Sequence, residues 1–459
     1  MTVNNDFSKI VSLCKRRGFV FPGSEIYGGL ANTYDFGPLG VEMLHNVLNS
    51  WWDTFVRQRY DMYGLDSSIL MSPKVWEASG HTKNFTDVLV DCRECQFRTR
   101  ADHLIEDFFE KKNEKIMVEG KSLEELDKII ISEKIPCPKC GKNNFTPVRK
   151  FNLLFETNVG IVTESQSKVY LRGEIAQGMF VNFKNVLDTM RPKLPFGIAQ
   201  SGKAFRNEIT LGNFIFRTLE FNLSEFEYFF DPNKENIDEL FEYWKSEMQN
   251  YLLSLGLNKE KMRWRVHDEK ERAHYSSRTE DLEYEFPFGF KEVLGLAYRT
   301  DFDLKNHSEQ SGTDLKYFDP ETNERITPHV IEPTFGINRI FLALLSDAFE
   351  EESDERTLLK LNPKVSPYQL AVFPLVKNKP EIVSKALEVF HFFKKNYRVT
   401  FDSRGNIGKR YLSQDEIGTP YCITIDYETL ENGSVTIRNR DDKTQVRIST
   451  SEIKNFITI

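Results

Sequence analysis

The chain has 459 residues, of which 40% are hydrophobic and 13% aromatic, so it can bury a large core in two or three domains. No apolar run is long enough to span a membrane, and residues 1–10 lack a secretory pattern, so we expect a cytoplasmic protein with no membrane partner. The net charge of −8 gives no compositional support for nucleic-acid binding, although a local basic groove on an acidic protein would suffice.

The first strong periodicity lies at residues 41–60. Apolar side chains recur there at helical spacing and form one face: Val41, Leu44, Leu48, Trp51, Trp52, Phe55 and Val56. Gly64 is expected to break this helix. Residues 65–71 then predict a strand that ends at Pro73.

Residues 92–140 begin and end with CxxC pairs and predict an insertion. Within it, Ser122 and Glu125 have capping-box spacing and should open a short helix. In a chain without a secretion signal, CxxC pairs indicate metal binding before disulfides. A tetrahedral structural zinc site is favoured over free thiols, although the gap between the pairs is longer than in a simple zinc ribbon. Its candidate ligands are Cys92, Cys95, Cys137 and Cys140.

Residues 172–230 are rich in aromatic and β-branched residues and predict strands. Within this stretch, residues 205–210 (FRNEIT) and 212–221 (GNFIFRTLEF) should flank a turn near residues 211–213. Residues 233–256 predict an amphipathic helix.

Charged side chains on this predicted hairpin admit two interpretations. Arg206 and Glu208 would share one face of the first strand, and Glu225 and Glu227 would share an apolar face of the second. Carboxylates on an apolar face need a cationic partner, either a bound ammonium group or a fixed Arg. The alternative is that these charges lie in solvent at the edge of a hairpin.

Residues 329–349 (HVIEPTFGINRIFLALLSDAF) predict a turn into a helix with an apolar stripe. Arg339 lies off that stripe in the first helical turn, where the helix dipole disfavours a cation unless an anion also binds. An ordinary solvated Arg is the alternative.

The acidic, proline-containing segment 352–367 predicts a domain boundary. A predicted strand (368–374), helix (381–397) and strand (398–402) follow it. This alternation indicates a small α/β domain.

Two motifs connect these segments. Arg206 with Glu208, and the later G-x-x-R at residues 336–339, resemble motifs 2 and 3 of the class II aminoacyl-tRNA synthetases. Residues 41–73 resemble motif 1, the dimerisation element of that class. Within the class, the chain is most similar to the homodimeric glycyl-tRNA synthetases. The similar segments are 34–40 (YDFGPLG), 171–183 (LRGEIAQGMFVNF), 205–218 (FRNEITLGNFIFRT), 299–307 (RTDFDLKNH), 329–339 (HVIEPTFGINR) and 408–422 (GKRYLSQDEIGTPYC).

This resemblance implies an α/β (α+β) fold, in which helices flank an antiparallel sheet and a mixed α/β anticodon-binding domain follows. The implied domains are 1–91 (catalytic, with motif 1), 92–147 (cysteine-bounded insertion), 148–362 (catalytic, with motifs 2 and 3) and 363–459 (anticodon-binding). The implied activity is the joining of glycine to tRNA(Gly) by a homodimer that uses ATP and Mg²⁺.

The resemblance also implies roles for residues in an ATP site. Arg206 would contact the α-phosphate, Glu208 the adenine amino group, and Arg339 the γ-phosphate. Phe216 would stack on the adenine, and Glu292 would lie near the Mg²⁺. The implied ATP site comprises Arg206, Asn207, Glu208, Phe216, Arg217, Thr218, Leu219, Glu220, Phe221, Lys291, Glu292, Gly336, Ile337, Asn338 and Arg339, with Arg206 and Arg339 as its catalytic residues.

The implied glycine site comprises Arg100, Glu174, Phe221, Asn222, Leu223, Ser224, Glu225, Glu332, Pro333, Thr334, Phe335 and Gly336. The chain departs from the typical bacterial pattern near this site. Leu219 replaces an Arg, residues 222–224 replace Glu-Gln-Met, and Thr334 replaces a Ser. Gly173 replaces a Pro, and Lys291 replaces a small residue.

Basic side chains of the C-terminal domain form the expected RNA surface, namely Arg404, Lys409, Arg410, Arg438 and Arg440.

Other hypotheses stay open: a class II synthetase for another amino acid, an inactive synthetase-like nucleic-acid-binding protein, or an unrelated zinc protein. Glu174 and Glu332 favour glycine over other amino acids. The charged ATP motifs argue against an inactive protein, and zinc binding alone would explain only the cysteines.

Overall fold

The computed structural model describes residues 5–114, 116–118, 120–161, 167–209, 212–269, 272–353 and 356–457, without the side chains of residues 5 and 6. Among these residues, no helix is both long and apolar enough to cross a membrane. The N-terminal elements are α1 (Asn5–Arg17), β1 (Val20–Pro22), β2 (Tyr34–Phe36), α2 (Pro38–Trp52), β3 (Met62–Gly64), α3 (Pro73–Ala78) and α4 (His81–Asn84).

The predicted apolar helix is confirmed as α2, which begins at Pro38 and continues into a π-helical turn at Asp53–Arg57. Proline suits this first helical position because its missing N–H would have no partner there. The predicted strand at residues 65–71 is wrong, because the strand is β3, which pairs in parallel with residues 197–199. The expectation that Gly64 breaks the helix is wrong, because the helical segment already ends at Arg57. Gly64 is the last residue of β3, and a Cβ there would overlap the Trp52 ring. Pro73 begins α3 and ends no strand.

The cysteine-containing part is built on a small antiparallel sheet. Its elements are β4 (Thr86–Asp91), β5 (Arg98–Arg100), α5 (Ala101–Lys111), α6 (Leu123–Ser132) and β6 (Arg149–Asn152). The strand order is β5-β4-β6, and α5 and α6 pack on one apolar cluster beside it. The predicted capping box is confirmed, since Ser122 and Glu125 exchange hydrogen bonds at the start of α6.

The following segment forms most of the catalytic half. Its elements are β7 (Phe155–Val159), β8 (Ser167–Leu171), α7 (Ala176–Val181), α8 (Phe183–Met190), β9 (Phe196–Phe205), β10 (Glu220–Phe230), α9 (Ile237–Ser254), β11 (Met262–Val266), β12 (Arg278–Phe286), β13 (Gly289–Thr300), α10 (Phe302–Ser311), β14 (Tyr317–Asp319), β15 (Glu324–Ile326), β16 (His329–Gly336), α11 (Ile337–Ala348), β17 (Phe349–Ser353) and β18 (Arg356–Leu359). The prediction of strands throughout residues 172–230 is wrong in part, because α7 and α8 bury an aromatic face against β9 and β10. The predicted helices at α9 and α11 are confirmed.

A large sheet with the strand order β11-β12-β13-β16-β10-β9-β3 organises this half. Neighbouring strands are antiparallel except β3 and β9, which confirms the predicted antiparallel architecture. One face of the sheet is covered by aromatic packing: Phe226 and Phe335 meet Trp51 and Phe55 from the α2 segment. The opposite face is left for polar side chains, because side chains alternate along each strand.

The C-terminal elements are β19 (Leu370–Pro374), α12 (Pro380–Phe393), β20 (Val399–Phe401), α13 (Ile407–Glu416), β21 (Tyr421–Ile425), α14 (Tyr427–Asn432), β22 (Ser434–Asn439), β23 (Gln445–Ser449) and α15 (Ile453–Phe456). They confirm the predicted strand, helix and strand after the boundary. The sheet order is β20-β19-β21-β22-β23, with parallel pairing of β19 to β20 and β21. This sheet and its helices have a core of their own.

Gly40 offers a test of the packing of α2. A Cβ at this position would overlap the carbonyl oxygen of Phe19, so one of the two backbones would have to move. We expect Gly40→Ala to lower the free energy of unfolding by about 1–3 kcal/mol. In the control Gly408→Ala in α13, the Cβ would have Asn406 Oδ1 as its nearest neighbour at 3.7 Å, so we expect a gain of about 0.5–1 kcal/mol. Urea unfolding of both variants measures the difference, and equal effects would contradict this packing.

Candidate active site

A cleft of about 600 Å³, counted together with its open mouth, lies above the central sheet, where the loop between β9 and β10 faces the start of α11. Its walls include much of the predicted ATP site and part of the predicted glycine site. The lining residues are Arg206, Glu208, Phe216, Arg217, Thr218, Phe221, Asn222, Leu223, Glu292, Thr334, Gly336, Asn338 and Arg339.

Arg206 and Glu208 lie in the cleft but not on a strand face, since β9 ends at Phe205. The predicted turn between the two strands falls partly on residues 210 and 211, which lie outside the described residues. The Arg206 Nε donates to the Gly173 carbonyl oxygen at 3.0 Å. Its guanidinium also lies 5.2 Å from the ring centre of Phe85 and 5.3 Å from that of Phe221. These contacts hold a planar donor group at the cleft wall.

Arg339 is the second cation of the cleft, and it is not an ordinary solvated residue. Its NH1 atom lies 2.8 Å from Glu292 Oε2 and donates to the Glu292 carbonyl oxygen at 3.1 Å. Its guanidinium carbon lies 4.5 Å from the ring centre of Phe216. A cation from the first turn of α11, a carboxylate from β13 and an aromatic ring from the segment before β10 therefore meet at one point of the cleft.

Glu208 faces a third cation of the cleft, since Arg217 Nε lies 3.9 Å from Glu208 Oε2. Arg100, predicted in the glycine site, lies on this side of the cleft. It pairs with Asp87 at 3.0 Å and with Asp102. Burial lowers the pKa of Arg100, but Asp102, then Asp87 and Glu208, outweigh burial and raise it. Arg100 therefore lies near residues that were predicted for the ATP site, not for the glycine site.

A buried acidic pocket lies deeper on the same face of the sheet. Its centre is Arg299 on β13, whose side chain is 1% exposed. Arg299 donates to both oxygens of Asp303, at 2.8 and 2.9 Å, and to Glu332 Oε1 at 2.8 Å. The ring centre of Tyr275 lies 3.7 Å from its guanidinium carbon. One guanidinium therefore orders carboxylates from β16 and α10.

Glu174 forms another wall of this pocket. Its Oε2 lies 3.1 Å from His81 Nε2, and its Oε1 accepts from Gln177 at 2.9 Å and lies 3.9 Å from Arg299. Gln177 is held in turn by His307 at 2.8 Å. Burial alone would raise the pKa of Glu174, but His81 and Arg299 outweigh burial and hold that pKa well below its usual range. Glu174 is therefore an anion at neutral pH.

Glu225, Glu227 and Glu332 meet at the floor of the pocket, with one oxygen of each within 4.8 Å of the others. Burial raises the pKa of Glu332 to about 7, against the opposing effect of Arg299. Burial, followed by repulsion from Glu332, raises the pKa values of Glu225 and Glu227 well above the usual range. Thr334 donates to Glu225 at 3.4 Å and also lines the cleft, so it connects the pocket with the cleft.

Several predicted site residues lie elsewhere. The side chains of Phe335 and Ile337 are buried in the core on the far face of the sheet, so only their backbone atoms are available to a ligand. Glu220 pairs with Lys203 at the surface, and Lys291 is exposed. Four more predicted residues do not line the cleft. Asn207 and Leu219 form backbone hydrogen bonds to neighbouring segments, and Ser224 and Pro333 are buried.

Sequence reasoning missed most of the residues that organise the pocket: His81, Gln177, Tyr275, Arg299, Asp303 and His307. Glu227 was predicted on the strand face that it shares with Glu225. Arg299, Asp303 and His307 recur every four residues in the segment RTDFDLKNH, and Gln177 follows Glu174 by three residues, so these spacings were the available signals. His81 and Tyr275 come from separate elements, and no spacing in the sequence connects them.

The predicted cysteine ligands converge at the edge of the β5-β4-β6 sheet. Their four Sγ atoms lie within 4.8 Å of one another, with Cys92 to Cys140 at 3.6 Å and Cys95 to Cys137 at 3.7 Å. A tetrahedral ion with sulfur ligands at about 2.3 Å requires sulfur atoms about 3.8 Å apart. Each CxxC turn is closed by a residue with positive φ, Gln96 or Gly141. This donor set fits a zinc ion.

The expectation of a basic RNA surface is wrong for three of its five residues, because these are buried. Arg438 makes a bidentate pair with Asp415, and Arg410 and Arg440 donate to backbone carbonyl oxygens. Buried guanidinium groups satisfied in this way are structural. Arg404 and Lys409 are exposed and stay candidates for RNA contact.

The cleft and the pocket differ in charge. Arg206, Arg217 and Arg339 give the cleft donors suited to phosphate oxygens. The pocket has more carboxyl groups than cations and suits a small ammonium group. Because the two meet at Thr334, they can hold one molecule with phosphates and one with an amine next to each other.

Comparisons with known proteins agree with this arrangement. The profile described as tRNA synthetase class II core domain (G, H, P, S and T) matches residues 155–348. The anticodon binding domain profile matches residues 369–458, and glycyl-tRNA synthetase insertion domain 1 matches residues 116–153. The glycine–tRNA ligase of Clostridium tetani is 52% identical over 463 residues, covering 100% of this chain and 99% of the relative. That of Alkaliphilus oremlandii is 51% identical, with 100% and 99% coverage, and that of Bacillus cereus is 50% identical, with 98% of each chain covered.

Proposed function

The chain belongs to the glycyl-tRNA synthetases of class II, and from this premise we propose how its residues join glycine to tRNA. It is a glycine–tRNA ligase, and enzymes of this class use ATP and Mg²⁺. The observation that carries the residue assignment is the junction of a cationic cleft with an acidic pocket at Thr334. ATP is assigned to the cleft and glycine to the pocket.

In the first step the glycine carboxylate attacks the α-phosphorus of ATP, and pyrophosphate leaves. No protein nucleophile is required, so catalysis rests on positioning and on stabilising phosphate charge. We assign Arg206 to the α-phosphate, because its donors face the cleft and its ring contacts fix its plane. Arg339 is assigned to the γ-phosphate. This phosphate would supply the anion that offsets the unfavourable position of a cation in the first turn of α11.

The adenine is assigned to the region around Phe216 and Glu208. Phe216 already stacks with a guanidinium group, which indicates a surface suited to a flat, polarisable ring. Glu208 offers acceptor oxygens to an exocyclic amino group. Glu292 is the carboxylate assigned to Mg²⁺, which would neutralise phosphate charge in the complex with ATP.

The glycine ammonium group is assigned to Glu174, Glu225 and Glu332. Glu225 Oε2 is buried and has no hydrogen-bond partner among the described residues, so it can accept from a ligand. Thr334 lies where the pocket meets the cleft, and oxygens of three carboxyl groups lie within 4.8 Å of one another at the pocket floor. Because a pocket selects glycine only by excluding other side chains, carboxyl groups this close together favour glycine.

In the second step a terminal hydroxyl of the tRNA attacks the glycyl carbonyl carbon, and AMP leaves. The C-terminal domain, predicted at residues 363–459, is assigned to the anticodon, with Arg404 and Lys409 as exposed cations for the RNA. The other predicted domain bounds, 1–91, 92–147 and 148–362, are proposed together with it.

We also propose a homodimer. Exposed apolar side chains flank α2, the predicted dimerisation element: Ile26 is 88%, Tyr27 87% and Tyr60 97% exposed. Ile26 and Tyr27 are adjacent, and neighbouring exposed apolar side chains favour an interaction surface. The cytoplasmic location stays a prediction.

Pyrophosphate exchange into ATP, with each amino acid supplied separately and no tRNA, tests the activity directly. We expect exchange with glycine alone. Arg206→Ala should lower it by at least about 100-fold, because the charge that develops at the α-phosphate loses its bidentate donor. The control Arg325→Ala removes an exposed Arg paired with Asp314 and should retain wild-type exchange. Exchange with another amino acid would overturn the substrate assignment.

The pH dependence of the glycine KM tests Glu332. Its pKa is raised to about 7, so the charge that meets the ammonium group is present above pH 7 and is lost as pH falls through 7. We expect the glycine KM in pyrophosphate exchange to rise about tenfold per pH unit below 7. Glu332→Gln should have a high KM that no longer varies in this way. A wild-type KM that stays constant through this range would contradict the assignment.

Metal analysis of the purified protein tests the cysteine site. We expect about one zinc per chain, because four converging thiolates bind zinc tightly. Cys95→Ser with Cys137→Ser should lose the metal and destabilise the small sheet, whereas Cys422→Ser, a buried thiol outside the cluster, should retain it. Wild-type protein without metal, purified without chelators, would instead indicate free thiols.

A further inference from the structure

Glu227 is a buried carboxyl group for which the proposed reaction has no use. It lies on β10 two residues beyond Glu225, on the same face, and is 0% exposed. Neither of its oxygens has a hydrogen-bond partner among the described residues. An unpaired ionised carboxylate at such depth is very costly, so its protonation state requires an explanation.

The charges that face Glu227 from every packed element are mostly negative. Glu225 lies on its own strand, Glu332 on β16, and Asp303 on α10. The facing cation is Arg299, which already pairs with Asp303 and Glu332. The remaining charged or titratable groups of the pocket are Glu174, His81, Tyr275, His307 and, near Glu225, Arg206.

Three carboxyl groups with oxygens within 4.8 Å cannot all be ionised beside one guanidinium that is already shared. At least one proton must stay in the cluster. Glu332 has Arg299 as a partner, and Glu225 accepts from Thr334. Glu227 has neither kind of partner, so its ionised form is the least stabilised of the three.

We propose that Glu227 is a positioning residue of the glycine pocket: a carboxylic acid that keeps its proton and directs it toward Glu225 and Glu332. As a neutral donor it orients Glu225 or Glu332 for the ammonium group and adds no further negative charge to a pocket that already holds Glu174 and Asp303 beside Arg299. A rotation of the carboxyl group or one water molecule spans the separation, because terminal carboxyl torsions are broad. This proposal rests on the proposed glycine site.

The test compares Glu227→Gln, Glu227→Leu and, as the matched control on the same strand face, Glu225→Gln. The readouts are KM for glycine, KM for ATP and kcat in pyrophosphate exchange near neutral pH. Glutamine keeps a neutral donor, so Glu227→Gln should stay within about threefold of the wild-type glycine KM. Glu227→Leu removes the donor and should raise the glycine KM by about 10-fold to 100-fold while the ATP KM is retained. Glu225→Gln replaces the unpartnered oxygen that is assigned to the ammonium group with an amide nitrogen, and it should raise the glycine KM strongly.

Two kinetic outcomes would overturn the proposal. If Glu227→Gln impairs glycine binding as strongly as Glu225→Gln does, then Glu227 acts as an ionised ligand. If Glu227→Leu folds and keeps the wild-type glycine KM, then Glu227 positions nothing.

A spectroscopic measurement covers the case in which Glu227→Leu does not fold. The infrared difference spectrum of wild type minus Glu227→Gln at neutral pH should contain the carbonyl band of one carboxylic acid, and its absence would overturn the proposal. The infrared band can be measured on protein that has no enzymatic activity. A wild-type protein that shows the band but no glycine-dependent exchange would refute the proposed function alone.

Discussion

The structure of the site depends on one buried guanidinium. Arg299 is enclosed by carboxyl groups from separate elements and is satisfied by Asp303 and Glu332. Removing one partner of such an arrangement leaves an unpaired buried charge, which costs about 3–5 kcal/mol. The pocket therefore retains its shape only while β13, β16 and α10 stay in their present register. The proposed glycine site and the register of the sheet therefore depend on the same set of contacts.

The central sheet meets this constraint by separating its two faces. Along β10, Phe226 packs on Trp51 while Glu225 and Glu227 point to the other side, and β16 divides Phe335 from Glu332 in the same way. A shift of one residue in either register would exchange acids for aromatic rings. The aromatic packing around α2 therefore stabilises the fold and also fixes which side of each strand can hold charge.

The sequence predicted long periodic elements well and local chemistry unevenly. The helices α2, α9 and α11, the capping box of α6 and the convergence of the cysteines follow from spacing that a short segment contains. The strand predicted at residues 65–71 was wrong, because strand pairing with β9 and contact with Trp52 are not local. The basic residues expected at the RNA surface were partly wrong for a similar reason. A charge count does not reveal that Asp415 lies opposite Arg438 in the folded domain.

By itself, the sequence determined the class of the protein, its ATP motifs and the acids that favour glycine, because the resemblance is carried by short contiguous segments that can be compared without the fold. Only the tertiary structure decided how the acids are held. It brings His81, Glu174, Glu227, Arg299 and Asp303 together from distant segments, and their mutual desolvation sets which carboxyl groups are charged. A pKa in such a pocket depends on distances and burial, which become defined only after the chain has folded.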